Sequence, residues 1–394
     1  MAKEIVLAGA VRTPIGKFGG TLSNVPAAKL GEIVIREAVK RTGLPIDAVD
    51  EVIMGCVIQA GAKQNVARQA MVNAGLPVEV PAMTINDACG SGLKVINMAA
   101  AEILAGNAEV IVAGGTENMS MIPYALLQAR NGYHMGSGVL EDLMLYDGLL
   151  DPFRGYHMGI TAENLAEKYG ISRETQDAFA LQSQQKCEAA RKAGKFDEEI
   201  VPVSIESRKG TVLFEHDEHP IDGLSIEKLA AMRPAFKKEG GTVTAGNASG
   251  INDGAAAMVV MSAEAAERLG VKPLARWIGG AWAGVEPEIM GIGPVASTNR
   301  LFEKTGLTIA DMDLIEANEA FAAQALAVGM DLQWDPEKVN VNGGAIALGH
   351  PVGASGCRIL GALIYELHRR GGGKGLATLC VGGGMGVSAI IETI

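Results

Sequence analysis

Asn86-Asp87-Ala88-Cys89-Gly90-Ser91-Gly92 is the stretch on which the reading of this 394-residue chain turns. Val80-Pro81-Ala82-Met83-Thr84-Ile85 before it is extended in character. After it, Leu93, Ile96, Asn97, Ala100, Ile103 and Leu104 recur at helical spacing. The pattern predicts a buried strand that turns sharply into a helix, with Cys89 at or just before the helix N-terminus. Free N–H groups and the helix dipole there favour a thiolate, so a lowered thiol pKa is expected. The glycines let other backbone, or a ligand, come close. Taken alone, the stretch also reads as a small buried thiol at a tight turn.

Outward from this turn the pattern is α/β. Strands are expected at Ile5–Ala8, Asp50–Ile58, Met83–Asn86 and Glu109–Ala113, and helices at Leu30–Thr42, Asn65–Ala74 and Gly92–Leu104. Such alternation implies a parallel or mixed sheet with helices on its faces. From about Thr116 to Thr244 the texture changes: charge runs, methionines and histidines gather around two helices, Thr161–Tyr169 and Arg173–Lys192. That region reads as an insertion. The α/β pattern resumes with a strand at Ala255–Met261 and a helix at Ala263–Leu269.

From Val271 the chain starts again. Leu274–Ala281 echoes Ile5–Ala8, and Ser297–Thr305 echoes Leu30–Thr42. Val339–Asn342 echoes Thr84–Asn86, and Leu376–Val381 with its glycines echoes Val110–Gly115. The spacing is steady: 263 residues from Asp50 to Asp313 and 264 from Ser91 to Ser355. Two copies of one α/β unit are expected, the insertion lying in the first.

Composition bounds the function. Hydrophobic residues make up 48 % and charged residues 20 %, which describes a core-rich globular chain. Aromatics are only 4 %, so the cores must be aliphatic. A net charge of −11 argues against a general nucleic-acid or anionic-membrane surface. The five cysteines are odd in number and widely spaced, without CxxC or zinc spacing, so no metal site is expected. Free thiols in a reducing, cytoplasmic setting fit this. No signal peptide and no apolar run of membrane-spanning length are read.

Three stretches of the second copy fall at element ends, where α/β proteins place their sites. They are Asn318-Glu319-Ala320-Phe321, the glycine-rich run from Asn342 through His350-Pro351 to Gly356, and Cys380-Val381-Gly382-Gly383-Gly384. If the copies pack about a pseudo-twofold axis, Cys89 faces His350 and Cys380. Each residue alone has a blander reading: a structural His at a glycine turn, a core thiol, an Asn helix cap.

With these motifs in view, and with Arg12-Thr13-Pro14-Ile15-Gly16, Gly155-Tyr156-His157-Met158-Gly159 and Thr244-Ala245-Gly246-Asn247-Ala248-Ser249-Gly250, the whole chain resembles the thiolase family. Within it, the likeness is to short-chain acetyl-CoA acetyltransferases. The resemblance implies a five-layered αβαβα fold from two duplicated halves, residues 1–119 plus 249–270 and residues 271–394. It also implies a loop domain, residues 120–248, and a homotetramer built as a dimer of dimers. Acetyl-CoA, acetoacetyl-CoA and CoA are the expected small-molecule partners, with no cofactor beyond the CoA the substrates carry and with neither nucleic acid nor membrane as partner.

By the same resemblance, Cys89 takes an acetyl group with His350 as its base, and Cys380 removes a proton from a second acetyl-CoA. Thioester exchange on sulfur is nearly isoenergetic, which suits a thiol nucleophile. His350 and a water held by Asn318 serve the enolate oxygen, and the N–H groups of Cys89 and Gly382 the tetrahedral oxyanion. Ser249 and the neighbouring Ala245 fall on the coenzyme, His157 near the thioester oxygen, and Phe236, Met158, Met290 and Phe321 wall a pocket sized for two carbons. A longer-chain degradative 3-oxoacyl-CoA thiolase is the alternative. Two departures stand out. Ile221 occupies a position where related sequences often carry an Arg near the CoA phosphates, with Arg208 and Lys209 nearby. Asp87-Ala88 replaces the more usual basic or small pair before the cysteine.

Overall fold

The computed structural model describes residues 3–207 and 210–394, so Arg208 and Lys209 lie outside the described residues. In chain order the strands are β1 (Ile5–Arg12), β2 (Gly16–Lys17), β3 (Glu51–Gly55), β4 (Ala82–Ile85), β5 (Val110–Asn118), β6 (Tyr124–Ala125), β7 (Glu141–Asp142), β8 (Val203–Ser207), β9 (Gly210–Phe214), β10 (Asn252–Ser262), β11 (Ala275–Gly284), β12 (Leu314–Ala317), β13 (Lys374–Val381) and β14 (Met385–Thr393). The helices are α1 (Ala27–Thr42), α2 (Val66–Ala74), α3 (Ser91–Ala105), α4 (Met158–Tyr169), α5 (Arg173–Lys192), α6 (Ile226–Ala230), α7 (Ala263–Leu269), α8 (Gly293–Thr305), α9 (Ala322–Leu332), α10 (Ala345–Leu348) and α11 (Ser355–Arg369).

The duplication is visible in the pairing. One hydrogen-bonded sheet runs β12-β13-β14-β11-β1-β10-β5-β3-β4, with β2 on β10. From its centre outward, β1-β10-β5-β3 in the first half matches β11-β14-β13-β12 in the second. In each half two antiparallel pairings are followed by a parallel one. β1 and β11 meet antiparallel at the middle, Val6 opposite Arg276. The second half's equivalent of β4 is reduced to a single parallel bridge, Ile315 to Val339.

Side-chain alternation along the strands sets the layers. Ile5 and Leu7 of β1, Ile111 and Ala113 of β5, and Leu379 and Val381 of β13 join one core with α3 and α11. Val6, Ala8, Val110 and Val112 point the other way, into a core with α1, α2 and α7. Leu376 and Ile390 pack on Leu301 of α8. Helices α3 and α11 therefore lie between the two halves of the sheet, and five layers result. The stretch Ala88–Ala105 is long and apolar enough to span a membrane, contrary to the reading above, but 56 % of it is buried inside the protein. Its apolarity serves a helix covered on two sides by sheet.

Several boundaries differ from the sequence reading. β3 ends at Gly55 rather than Ile58, because the N–H groups of Val57 and Ile58 turn to the Glu117 carboxylate instead of a strand. β10 begins three residues earlier than expected, at Asn252, where it also pairs with β2. The insertion lies between β5 and β10 and is docked by charge: buried Arg12 reaches Glu199 at 2.6 Å and Asp217 at 2.7 Å. Arg12→Ala would leave two buried carboxylates without their cation, and should lower stability in urea unfolding by about 3–5 kcal/mol. Breaking the exposed Arg268–Glu109 pair in the same assay should cost less than about 1 kcal/mol.

Candidate active site

The Cys89 turn is built by local bonds. Ala88 stands at φ +43°, in the left-handed region that non-glycine residues rarely enter. Its N–H is held by Asn86 Oδ1 at 2.9 Å. Ser91 Oγ accepts from Asp87 N–H at 2.8 Å and donates to the Ala88 carbonyl at 2.7 Å, closing the loop. The chain then enters α3 two residues after Cys89, so the nucleophile candidate sits just ahead of the helix, as read from the sequence. The Cys89 sulfur receives its own N–H and that of Gly382. Gly382 arrives from the second half on a turn that needs Gly383 and Gly384 at φ +83° and +88°.

His350 is buried and held from several sides. Its N–H donates to Asn252 Oδ1 at 2.9 Å, and its Nδ1 lies 2.5 Å from Ser355 Oγ. Ser355 spends its own proton on the Pro351 carbonyl at 2.9 Å, so Nδ1 carries the hydrogen and Nε2 the lone pair. Asn318 Nδ2 donates to that Nε2 at 3.3 Å, and Asn318 Oδ1 has no partner among the described residues. Glu319 ties the Asn318 turn down, accepting from Ser183, Asn340 and the Ile346 N–H.

A cavity of about 940 Å³ opens over these groups. Cys89, His157, Met158, Phe236, Ala245, Ser249, Met290, Phe321, His350 and Gly382 all line it. Asn318 lies behind His350, and Cys380 lies behind the wall, packed with Met158, Met290, Ala320 and Phe321. His157 stacks on Phe236 at 4.5 Å and accepts Gly159 N–H on Nδ1, which leaves its other nitrogen as the donor. Ile221 lies at the rim with Lys17, Glu218 and Asp222. A second cavity, about 730 Å³ between α5 and α9, holds none of the candidate residues. Among the described residues no cluster of His, Cys, Asp or Glu is placed to hold a metal ion.

The electrostatics correct one expectation. Burial pushes the Cys89 thiol up to about 11, the N–H groups of Gly382 and Cys89 pull it down, and Glu117 and Asp87 add to the rise. The helix end does not win, because the cost of enclosing the sulfur in protein outweighs the two N–H groups that reach it. Burial, then Cys89 beside it, raises Cys380 as well. Burial, and then the positive charge of Arg358, push His350 down to about 3. These shifts favour protonated sulfurs and a neutral imidazole near pH 7. Sequence reasoning assigned no role to Ser355, Asn252 or Glu117. Ser355 could have been found five residues after His350 in the same glycine-rich run; the other two give no local signal.

The profile of the thiolase N-terminal domain matches residues 5–264, and that of the thiolase C-terminal domain matches residues 271–393. The acetyl-CoA acetyltransferase of Syntrophomonas wolfei is 57 % identical over 398 aligned positions, covering 100 % of both chains. That of Pseudomonas aeruginosa is 58 % identical over 387, covering 98 % of both. The crystal structure of the Bacillus anthracis acetyl-CoA acetyltransferase superposes with a TM-score of 0.98 at 50 % identity, covering 100 % of this chain and 99 % of that one.

Of the five cysteines only Cys89 is not buried. Iodoacetamide should therefore label Cys89 first. Because the thiolate is the reactive form, its rate should climb by about tenfold per pH unit from roughly pH 8 to 10. A plateau near the pKa of an ordinary free thiol would show that burial does not control this sulfur.

Proposed function

The chain belongs to the thiolase family, and from that premise we propose how it works as an acetyl-CoA acetyltransferase, condensing two acetyl-CoA into acetoacetyl-CoA and CoA through an acetyl-Cys89 intermediate. The observation that carries this reading is the single cavity onto which Cys89, His350 and Gly382 open, with Cys380 packed behind its apolar end.

The steps balance with the residues present. His350 Nε2 takes the Cys89 proton as sulfur attacks the thioester carbonyl. The departing CoA thiolate takes the Cys380 proton, so Cys380 becomes the thiolate as CoA leaves. It then removes a methyl proton from the second acetyl-CoA. Protonated His350 and the Asn318 side meet the charge on the enolate oxygen. The enolate carbon attacks the acetyl group, and the N–H groups of Cys89 and Gly382 meet the second oxyanion. Cys89 leaves as thiolate and recovers its proton from His350. The raised thiols and lowered imidazole support this order: protons stay on sulfur until a thioester supplies somewhere for the charge to go.

Met158, Met290 and Phe321, all buried around Cys380, support a two-carbon acyl group over the longer-chain alternative. Ser249 and Ala245 lie on the side of the cavity where residues 120–248 would carry coenzyme A. Among the described residues the rim at Ile221 is lined by Lys17, Glu218 and Asp222, without an arginine. Exposed Met121, Tyr124, Leu126, Leu127, Tyr133, Met135, Val139 and Leu140, on one excursion of the insertion, support assembly into a tetramer.

Brief incubation with acetyl-CoA followed by peptide mass spectrometry should find the acetyl group on Cys89; acetylation elsewhere with Cys89 unmodified refutes the assignment. Cys380→Ala should still form acetyl-Cys89, more slowly because CoA leaves without the Cys380 proton, and should lose condensation by about 10²–10⁴-fold. Near wild-type condensation would remove Cys380 as the base. Across acyl lengths, four-carbon 3-oxoacyl thioesters should be cleaved far faster than eight-carbon ones, and equal rates would refute the tight pocket.

A further inference from the structure

Glu117, in β5, lies beneath the site with 1 % of its surface exposed. Its Oε2 accepts Val57 N–H at 2.8 Å and Gly353 N–H at 3.0 Å. Its Oε1 accepts Ile58 N–H at 3.1 Å, with the Cys56 sulfur 3.8 Å away. The donors come from both copies of the fold. Val57 and Ile58 follow β3 in the first half; Gly353 belongs to the His350 turn of the second. Val57, Ile58 and Val352 pack together with Cys89, and Val57 and Val352 line the cavity.

The fit leaves no slack. A Cβ on Gly353 would fall 2.6 Å from Glu117 Oε2, and a Cβ on Gly115 would fall 1.9 Å from the Gly353 carbonyl oxygen. Among the described residues no Lys or Arg forms a salt bridge with Glu117, so three backbone N–H groups and the Cys56 thiol hold its charge. The titratable groups that face it are Cys56 and Cys89.

We propose that Glu117 is a positioning residue for the acyl transfer: its carboxylate staples the His350 turn of one half to the loop beside Cys89 in the other. This rests on the acyl-transfer reading above. It predicts two effects of opposite sign on removing the charge. Glu117→Gln keeps the shape but turns an NH2 toward backbone N–H donors, so the staple loosens and transfer slows. The same change removes a negative charge near Cys89, so the thiol ionises more easily.

The test uses the intact enzyme, Glu117→Gln and Glu117→Asp at pH 8, where burial-raised Glu117, shifted up to about 7 by burial against its N–H partners, is charged in the wild type. Glu117→Gln should acetylate Cys89 about 10²-fold more slowly in a single turnover. Its KM for acetyl-CoA should stay within about threefold, and iodoacetamide should label Cys89 at least about threefold faster at pH 9. Glu117→Asp keeps the charge but cannot span all three N–H groups; it should transfer slowly while labelling at the wild-type rate, and it decides the matter if Glu117→Gln does not fold. Transfer within twofold of wild type in either variant overturns the proposal. So does slow transfer with a raised KM and unchanged labelling in Glu117→Gln, the pattern of a purely structural residue. If wild-type Cys89 is itself never acetylated, the acyl-transfer reading fails instead.

Discussion

Cys89 and Cys380 lie where protein excludes most water, so ionising either is costly, and charge on Cys89 raises the cost at Cys380. Everything else in the site answers to that constraint. A preformed thiolate–imidazolium pair would have to be paid for by desolvation, and Cys89, Cys380 and His350 all shift toward their neutral forms instead. What the fold supplies is not a charge partner but fixed N–H groups, from Cys89 and Gly382, at the Cys89 sulfur. Donors placed in advance cost no reorganisation when a reaction calls on them.

That arrangement requires backbone from two halves to meet at separations that side chains would block. Gly92, Gly115, Gly353 and Gly356 let α3, β5 and the start of α11 touch main chain to main chain. The close contact in turn buries polar backbone that has left its strands. Glu117 takes up three such N–H groups at once and Asn252 takes up that of His350, while Ser355 meets the His350 ring at Nδ1. Small residues create the seam; buried polar side chains keep it from carrying unpaired donors.

Much of this could be read along the chain. The turn around Cys89 announces itself by an apolar helix behind it and glycines within it. The second copy announces itself by strand-glycine pairs recurring at near-constant spacing, and the pairing order of the sheet repeats accordingly. Other features could not be read. The end of β3 depends on a carboxylate sixty residues away. The run Ala88–Ala105 is long and apolar enough to span a membrane, and only its place between the two halves of the sheet makes it a core helix. The helix end ahead of Ser91 argues for an acidic thiol, yet the enclosed sulfur is a weaker acid than a free one.

Residue types, their order and their periodicity determined the α/β class, the duplication and the short list of chemically able side chains, because those follow from local backbone preference and from matching stretches within the chain. Which proton sits on which atom was decided only by the tertiary structure. His350 donates at Nδ1 because Ser355 is aimed at it. Cys89 keeps its proton because protein, Glu117 and Asp87 surround it. A pKa is a sum over neighbours in space, weighted by how little water lies between them, and the chain order that brings Cys89, Glu117 and Gly382 together does not contain those distances.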